Sequence, residues 1–241
     1  MGRRKHASLM RKNILGIIPA RAGSQRVPRK NVRTLGGIPL VAKAIESSLQ
    51  AKTLDRVMVS SDDEEVLSLA RGYREVIILR RPKELAQINS PAIDYVKHSL
   101  NFVEAKHLEK VDIVAIIQPS SPFTLPDDID GTIDLLERTG ADSAVTIMKV
   151  DHAIHPKKLK ILNGETLLSY LEDEDGMMME HELSDVFVRN GSVYAMHRYV
   201  IDAGVLIGND CRGYLMPRER SLDINEEIDF LFAEFLTERN K

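Results

Sequence analysis

The feature that most constrains the fold of this 241-residue chain is the repeated alternation of short apolar runs with helical segments. The apolar runs cover residues 14–18, 56–60, 76–79, 111–117 and 143–150. Short runs without polar alternation are typical of strands buried on both faces of a parallel sheet. Strands that alternate with helices predict a doubly wound, Rossmann-like α/β fold with a mostly parallel sheet.

The helical segments are expected at 39–49, 63–71, 91–105, from 126 onward and at 225–237. Before the third of these, Ser90 and Pro91 predict a hydroxyl cap followed by proline in the first turn. Ligands of doubly wound sheets bind beyond the carboxyl ends of the strands. The loops that follow Ile18, Ser60 and Ile117 are therefore the candidate site.

Composition excludes several classes of function. Lysine and arginine number 33 and aspartate and glutamate 36, so the net charge of -3 favours no nucleic-acid partner. The apolar runs are too short to span a bilayer, and we expect no membrane segment. Cys211 is the single cysteine. It excludes an intramolecular disulfide and a four-cysteine zinc site, and it fits a cytoplasmic location.

The pattern divides the chain into four parts. Residues 1–13 are predicted to be a basic disordered tail, and 14–150 an α/β core. The polar stretch 151–185 interrupts the alternation and predicts an inserted arm, and 186–241 returns to the core. Within the arm, Met177-Met178-Met179 is more typical of packing than of function. His152 and His155 beside Asp151 permit metal ligation, but a structural or interface role is favoured.

The loop after the first strand is rich in cations. Arg21, Arg26, Arg29 and Lys30 lie within ten residues. Gly23 and its serine neighbour allow a tight turn with exposed amides, which is suited to a triphosphate. The loop matches neither a Walker motif nor a dinucleotide fingerprint. On composition alone, a solvated basic turn is an equally good interpretation.

Six blocks together resemble the acylneuraminate cytidylyltransferase family, which includes the synthetases of CMP-sialic, CMP-legionaminic and CMP-pseudaminic acids. The blocks are Ile18-Pro19-Ala20-Arg21-Ala22-Gly23-Ser24 with Pro28, Lys30 and Asn31; Val59-Ser60-Ser61-Asp62; Leu79-Arg80-Arg81-Pro82-Lys83-Glu84-Leu85-Ala86; Gln118-Pro119-Ser120-Ser121-Pro122; Arg189-Asn190-Gly191-Ser192-Val193-Tyr194; and Ser221-Leu222-Asp223-Ile224-Asn225. They run in the family's order across residues 14–235. The fold implied is that of the nucleotide-diphospho-sugar transferases.

The resemblance implies transfer of CMP from CTP to an acidic nonulosonic sugar with release of pyrophosphate, a nucleotidyltransferase reaction. It implies catalytic roles for Arg21, Lys30, Gln118 and Asp223. The implied nucleotide-binding residues are Ala20, Arg21, Gly23, Ser24, Lys30, Asn31 and Arg81. The implied sugar-binding residues are Gln118, Ser120, Asn190 and Tyr194.

The resemblance also implies a Mg2+ cofactor held by Asp223 and Asn225. The family typically has Asp-x-Asp here, whereas this chain has Asn225 in the third position, so we expect one metal ion or weaker binding. A helix cap before Glu226 is the alternative role of Asp223. Gln25 and Arg26 also depart from a common Lys-Gly version of the first loop. Cys211 is not followed by the paired phenylalanines of some sialic acid enzymes.

Residues 151–185 resemble the family's dimerisation arm, which implies a homodimer. Lys157 and Lys158 would then face an acidic sugar in the neighbour's site. Two other functions stay open. One is CTP-dependent activation of 3-deoxy-octulosonate or another acidic acceptor, and the other is a nucleotide-binding homologue without catalysis.

Overall fold

A computed structural model describes residues 12–24, 26–107, 110–171, 181 and 183–239. Most of the predicted basic tail and the Met177-Met178-Met179 run lie outside the described residues. No helix in the described ranges is long and apolar enough to cross a membrane.

The strands are β1 (Ile14–Pro19), β2 (Thr34–Leu35), β3 (Ile38–Pro39), β4 (Arg56–Ser61), β5 (Val76–Arg80), β6 (Ile113–Ile117), β7 (Ser143–Lys149), β8 (Lys160–Asn163), β9 (Thr166–Ser169), β10 (Phe187–His197) and β11 (Cys211–Leu215). The α-helices are α1 (Leu40–Gln50), α2 (Glu64–Ala70), α3 (Ala92–His107), α4 (Pro126–Thr139), α5 (Arg198–Asp202) and α6 (Glu227–Arg239). Within the described chain, the predicted strands and helices all appear, with ends shifted by a few residues.

Seven strands of the described chain form the main sheet, in the order β11-β7-β10-β6-β1-β4-β5. Strand β10 is antiparallel to both of its neighbours, and the other pairs are parallel. The prediction of a doubly wound, mostly parallel sheet is confirmed. Because β1, β4 and β6 are parallel neighbours, their carboxyl ends lie together at one edge of the sheet.

Helices cover both faces of this sheet. One face packs against the apolar sides of α1, α2 and α4, which include Val41, Val66 and Ile133. The other face packs against α3 and α5 through residues such as Val96 and Val200. The central strands are buried on both sides, which is why their sequences show apolar runs without alternation.

The C-terminal helix α6 brings the late polar segment to the site. Phe230 of α6 packs in a separate cluster with Val27, Leu40 and Ile224. This cluster joins the loop after β1 to the segment that precedes α6. Two loops that are almost two hundred residues apart in the sequence therefore pack against the same apolar cluster.

Residues 151–171 stand apart from the main sheet. After two short 3-10 turns, β8 and β9 pair with each other in a two-stranded antiparallel hairpin. Every residue of the two strands is exposed. An isolated hairpin is marginally stable in water, so this one depends on contacts beyond its own strands.

The prediction that the Ser90 hydroxyl caps helix α3 is wrong, because that hydroxyl bonds to the preceding loop. The Ser90 hydroxyl donates to the Glu84 carbonyl at 2.7 Å and accepts from the Gln87 backbone N–H at 3.2 Å. It closes the loop before α3 rather than capping the helix, which begins at Ala92.

Candidate active site

The loop after β1 is pinned to the end of β4. The Ala20 N–H donates to the Ser60 carbonyl at 3.0 Å, and the Ala22 N–H donates to Asp62 Oδ1 at 2.7 Å. On the other side, Asn31 Nδ2 donates to the Arg21 carbonyl at 2.9 Å. The loop is thus held at both ends by hydrogen bonds to its neighbours.

Between these anchors the loop exposes hydrogen-bond donors. Gly23 adopts a φ of 59°, which glycine reaches without strain. In the described part of the chain, the backbone N–H groups of Gly23 and Ser24 have no hydrogen-bond partner. Consecutive free amides of this kind form an anion-binding concavity.

Beside this loop lies a polar cleft of about 140 Å³, which we call the phosphate cleft. Its lining includes Arg21, Ser24, Lys30, Asn31, Gln118 and Ser120. Residues predicted from two separate sequence blocks therefore meet in one cavity. The geometry and charge suit a polyanion.

Lys30 joins the phosphate cleft to the late polar segment. Its Nζ donates to the Ile224 carbonyl at 2.7 Å, while the Ile224 N–H donates to the Ser120 carbonyl at 2.8 Å. Burial lowers the pKa of the Lys30 ammonium, and the nearby carboxylate of Asp223 partly opposes that shift. The ammonium is partly shielded from water, so its attraction to an anion is stronger than that of a fully exposed lysine.

Arg81 lies in a second cleft of about 230 Å³, the base cleft, beside Arg21, Gln87 and Tyr95. It is only 4% exposed. Its Nε and Nη2 donate to the Ser60 hydroxyl and carbonyl at 3.1 and 2.9 Å, and its guanidinium lies 4.3 Å from the centre of the Tyr95 ring. Burial lowers the pKa of Arg81. Its remaining donors are fixed in direction and available to a planar, polar ligand.

Gln118 lines the phosphate cleft, the base cleft and a third cavity of about 580 Å³, the acceptor cleft. Its backbone N–H donates to the Ser192 carbonyl at 3.0 Å, which fixes its position at the end of β6. Tyr194 lines the acceptor cleft with it, and burial raises the pKa of the Tyr194 hydroxyl. The side chain of Gln118 is therefore at the junction of three cavities.

Asn190 has a different environment from the other predicted sugar-binding residues. Its Nδ2 donates to the Ser221 hydroxyl at 2.8 Å and to Met216 Sδ at 3.2 Å, and its Oδ1 accepts from the Ser192 N–H at 3.3 Å. The amide is buried, and Asn190 does not line any of the three clefts. Its neighbour Arg189 lines the acceptor cleft instead. A sugar-binding role for Asn190 stays a prediction.

Asp223 lies beside Gly191, and it is not among the residues that line the three clefts. Gly191 has a φ of 82° at the irregularity of β10, and a side-chain carbon there would lie 3.3 Å from Asp223 Oδ2. Asp223 Oδ2 accepts from Asn225 Nδ2 at 2.8 Å. Asp223 Oδ1 is buried and has no hydrogen-bond partner within the described residues.

The helix-cap interpretation of Asp223 is not supported. The backbone N–H groups of Asn225 and Glu226 donate to Asp229 Oδ2, each at 2.8 Å. Asp229 thus satisfies the amides before α6 and leaves Asp223 free for another role. Asn225 Oδ1 accepts from Arg26 Nη2 at 3.4 Å, so its amide oxygen is directed to a cation.

A family comparison agrees with this arrangement. The cytidylyltransferase family matches residues 15–211 of the chain, which include the first loop, Arg81, Gln118 and Tyr194. The chain belongs to the cytidylyltransferase family.

Several curated relatives of this chain have names that specify the sugar they activate. It is 27% identical over 231 residues to the N-acylneuraminate cytidylyltransferase of Escherichia coli O18:K1:H7, covering 93% of this chain and 52% of that one. It is 28% identical to N-acylneuraminate cytidylyltransferase A of Danio rerio, covering 92% and 50%. It is 29% identical to the CMP-N,N'-diacetyllegionaminic acid synthase of Legionella pneumophila, covering 95% and 97%. The chain therefore spans about half the length of the first two relatives and nearly all of the third.

Solved structures share the fold. A CMP:2-keto-3-deoxy-manno-octonic acid synthetase complexed with CTP has a TM-score of 0.67 at 18% identity, over 95% of this chain and 100% of that one. A 4-diphosphocytidyl-2C-methyl-D-erythritol synthase from Anaerococcus prevotii has a TM-score of 0.62 at 15% identity, over 95% and 97%. At these identities the likeness concerns the fold alone.

His152 and His155 have partners within the segment 151–185. His155 is buried, its Nδ1 accepts from the Lys157 N–H at 3.2 Å, and its Nε2 lies 3.1 Å from the Ser184 carbonyl. His152 pairs with Asp151. No group of three histidine, cysteine or acidic side chains in the described ranges is placed to bind a metal. A structural or interface role for these histidines stays a prediction.

Sequence reasoning missed several residues that line the clefts or hold the first loop in place. Asp62 was noted within a block but given no role, although it anchors the first loop. Tyr95 lines both the base cleft and the acceptor cleft. In the sequence, Tyr95 shows only the helical periodicity that is typical of a core residue, so no motif indicated a role in the site. Arg189 begins one of the matching blocks but was given no role, and no motif marks the segment 204–207, although both line the acceptor cleft.

Proposed function

We propose that this protein transfers CMP from CTP to an acidic nonulosonic sugar and releases pyrophosphate. The observation that carries the proposal is the junction at Gln118, where a cationic phosphate cleft, a base cleft and an acceptor cleft meet. A cytidylyltransferase needs these three subsites in contact, because the acceptor must reach the α-phosphorus of CTP. The names of the curated relatives support the acidic sugar as acceptor.

In the proposed reaction, the anomeric hydroxyl of the sugar attacks the α-phosphorus of CTP, and the bond to pyrophosphate breaks. Such transfers depend on positioning and on stabilising charge more than on covalent chemistry. Arg21, Lys30 and the free amides of Gly23 and Ser24 would hold the triphosphate and the leaving pyrophosphate. Arg81 would bind the cytosine, and Gln118 would orient the acceptor hydroxyl.

We also propose that Mg2+ is the cofactor and that Asp223 is its main protein ligand. The buried, unpartnered Oδ1 of Asp223 fits a cation. Magnesium commonly uses one or two carboxylates together with water and substrate phosphates, so a single carboxylate is sufficient. Asn225 would have to turn its amide, because its nitrogen now faces Asp223. When bound, the ion would supply charge neutralisation at the triphosphate.

Pyrophosphate release tests the proposal. The protein is mixed with CTP, Mg2+ and one acceptor at a time, chosen from nonulosonic acids and 3-deoxy-octulosonate. We expect release with at least one nonulosonic acid. Release with the octulosonate alone would favour the alternative acceptor, and binding of CTP without release from any acceptor would favour a non-catalytic homologue.

We propose the cytoplasm as the location, since it supplies CTP and keeps Cys211 reduced.

We propose further that the hairpin β8–β9 is a dimerisation arm. It exposes large apolar side chains, including Leu162 at 68% and Leu167 at 66%, and Phe187 at the start of β10 is 44% exposed. A contiguous apolar surface of this kind is typical of an interface. In a homodimer, Lys157 and Lys158 would come near the neighbour's acceptor.

Light scattering on a sizing column tests the arm. The intact protein is expected to be a dimer, and the double variant Leu162→Glu/Leu167→Glu a folded monomer with reduced turnover. The matched control is Ile228→Glu, since Ile228 of α6 is equally exposed at 66% and lies outside the arm. A strictly monomeric intact protein with full turnover would contradict the proposal.

A further inference from the structure

The polar block Ser60-Ser61-Asp62 at the end of β4 lines none of the three clefts, yet each of its side chains has a fixed partner. Ser60 and Ser61 are fully buried. The Ser61 hydroxyl donates to the Ala20 carbonyl at 2.5 Å, and Asp62 Oδ1 accepts from the Ala22 N–H at 2.7 Å. Buried polar groups are normally satisfied by hydrogen bonds, and here the loop after β1 supplies the partners of two of the three side chains.

Ser60 is shared between the loop after β1 and Arg81. Its carbonyl accepts two hydrogen bonds, one from the Ala20 N–H at 3.0 Å and one from Arg81 Nη2 at 2.9 Å. Its hydroxyl accepts from Arg81 Nε at 3.1 Å, and the carbonyl of Ser61 accepts from the Arg81 backbone N–H at 2.8 Å. One strand end therefore fixes the loop on one side and the guanidinium on the other.

The carboxylate of Asp62 is unexpected at this place, because a negative charge near a cleft for a polyanion opposes anion binding. Its hydrogen bond to the Ala22 N–H supplies a reason for it. The amides that follow directly, those of Gly23 and Ser24, are the free donors of the loop, so fixing Ala22 sets their direction. Burial lowers the pKa of Arg81, and the carboxylate of Asp62 is among the groups that oppose this shift, so Asp62 acts on both sides.

We infer that Asp62 and Ser60 are positioning residues that build both halves of the nucleotide site on one strand end. Asp62 aims the amides of the phosphate loop, and Ser60 directs Arg81 toward the base. Neither side chain lines a cleft, so each acts through the group that it holds. The inference rests on the proposed cytidylyltransferase function, and it assigns affinity for the triphosphate to Asp62 and discrimination between bases to Ser60.

Inorganic tripolyphosphate tests the role of Asp62, because it has the phosphate chain of a nucleotide but no base. Its Kd is measured by titration calorimetry without Mg2+, so that the result does not depend on the proposed metal. Asp62→Ala loses the acceptor for the Ala22 N–H and should weaken binding by about tenfold, as expected for loss of a hydrogen bond to a charged group. Asp62→Asn keeps an acceptor oxygen without the charge, and it should bind within about twofold of the unmodified protein or more tightly.

Asp63→Asn is the matched control for the charge. Asp63 has the same charge one residue further along, but its side chain accepts from the Glu65 N–H at the start of α2. This variant should leave the Kd for tripolyphosphate unchanged or slightly lower. If Asp62→Ala bound tripolyphosphate as tightly as the unmodified protein, or more tightly, the carboxylate would only oppose the anion, and the positioning role of Asp62 would be wrong.

Ser60→Ala tests the other half. It removes the hydroxyl that holds Arg81 Nε and keeps the carbonyl that holds the loop. The ratio of the Kd for UTP to the Kd for CTP should fall by several-fold to about tenfold, with the Kd for tripolyphosphate unchanged. A general loss of structure would weaken both ligands instead. Ser48→Ala is the control, since Ser48 is a buried serine of α1 whose hydroxyl donates to the Ala44 carbonyl, and it should change neither quantity.

The outcomes separate this inference from the proposed function. If Ser60→Ala keeps the ratio while Arg81→Lys lowers it, Ser60 does not direct Arg81, and that half of the inference is wrong. If the unmodified protein does not bind CTP, the result counts against the proposed function and against the role of Ser60 in reading the base. The tripolyphosphate measurements still decide the role of Asp62 in that case.

Discussion

The phosphate cleft and the acceptor cleft share Gln118 but are built in opposite ways. The first consists of cations and amides from two short sequence blocks, held by hydrogen bonds between side chains and the backbone. The second consists of apolar side chains from several elements, with Arg189 as its charged group. Binding a polyanion requires donors at close spacing, which leaves a motif in the sequence. An apolar wall requires only side chains of suitable shape, which leave no motif in the sequence.

The largest effect on this comparison is expected from Lys30→Met. Removal of the partly buried ammonium should lower kcat by roughly 10²–10³-fold, as for the loss of a preorganised donor to developing charge. KM for the sugar should change little, because the acceptor cleft does not contain Lys30. Steady-state pyrophosphate release at saturating CTP measures both quantities.

Lys43→Met is the control for that experiment, since Lys43 lines a separate cavity beside α1. Lys43→Met should have the same kcat and the same KM for the sugar as the unmodified protein. If Lys30→Met raised KM for the sugar and left kcat unchanged, Lys30 would act on the sugar, and the separate roles given to the two clefts would be wrong.

Arg81→Lys should produce the next largest effect. Lysine keeps the charge but loses the planar fork that Ser60 and Tyr95 hold in place. We expect KM for CTP to rise by about tenfold to a hundredfold and the preference for CTP over UTP to fall. Kinetics with the two nucleotides check this, and an unchanged preference would show that Arg81 does not read the base.

Tyr95 lines the base cleft and the acceptor cleft, so it tests whether they act independently. Tyr95→Leu removes the ring beneath Arg81, a contact that contributes about 0.5–2 kcal/mol, and should raise KM for CTP by a few-fold to about tenfold. Tyr95→Phe keeps the ring and should change KM for CTP much less. If the two variants had the same effect on CTP, the ring would not be what positions Arg81.

The smallest effect is expected from Asn225→Asp. A second carboxylate beside Asp223 should lower the Mg2+ concentration at half-maximal rate by a few-fold, since carboxylates are preferred magnesium ligands. The acceptor preference should not change. Asn101→Asp on the exposed side of α3 is the control, and a Mg2+ titration identical for both variants would argue against a metal contact at residue 225.

The fold could be predicted largely from the sequence. Apolar runs such as residues 14–18 identify buried strands, whereas the phosphate-binding role of Gly23 and its neighbouring cations stays a prediction. The partners of several residues could not be predicted. Asn190 belongs to a matching motif, yet its amide is bonded to Ser221 and Met216. Ser90 has the sequence of a helix cap, but its hydroxyl closes the preceding loop.

The sequence by itself determined the alternation of strands and helices, the charge of the first loop and the family resemblance. These properties are local, because periodicity and short motifs are set by neighbouring residues. The tertiary structure alone decided that Lys30 contacts Ile224, that Tyr95 lies beneath Arg81 and that Arg189 enters an apolar cavity. Those contacts join residues far apart in the chain, and they depend on how the sheet, α3 and α6 pack.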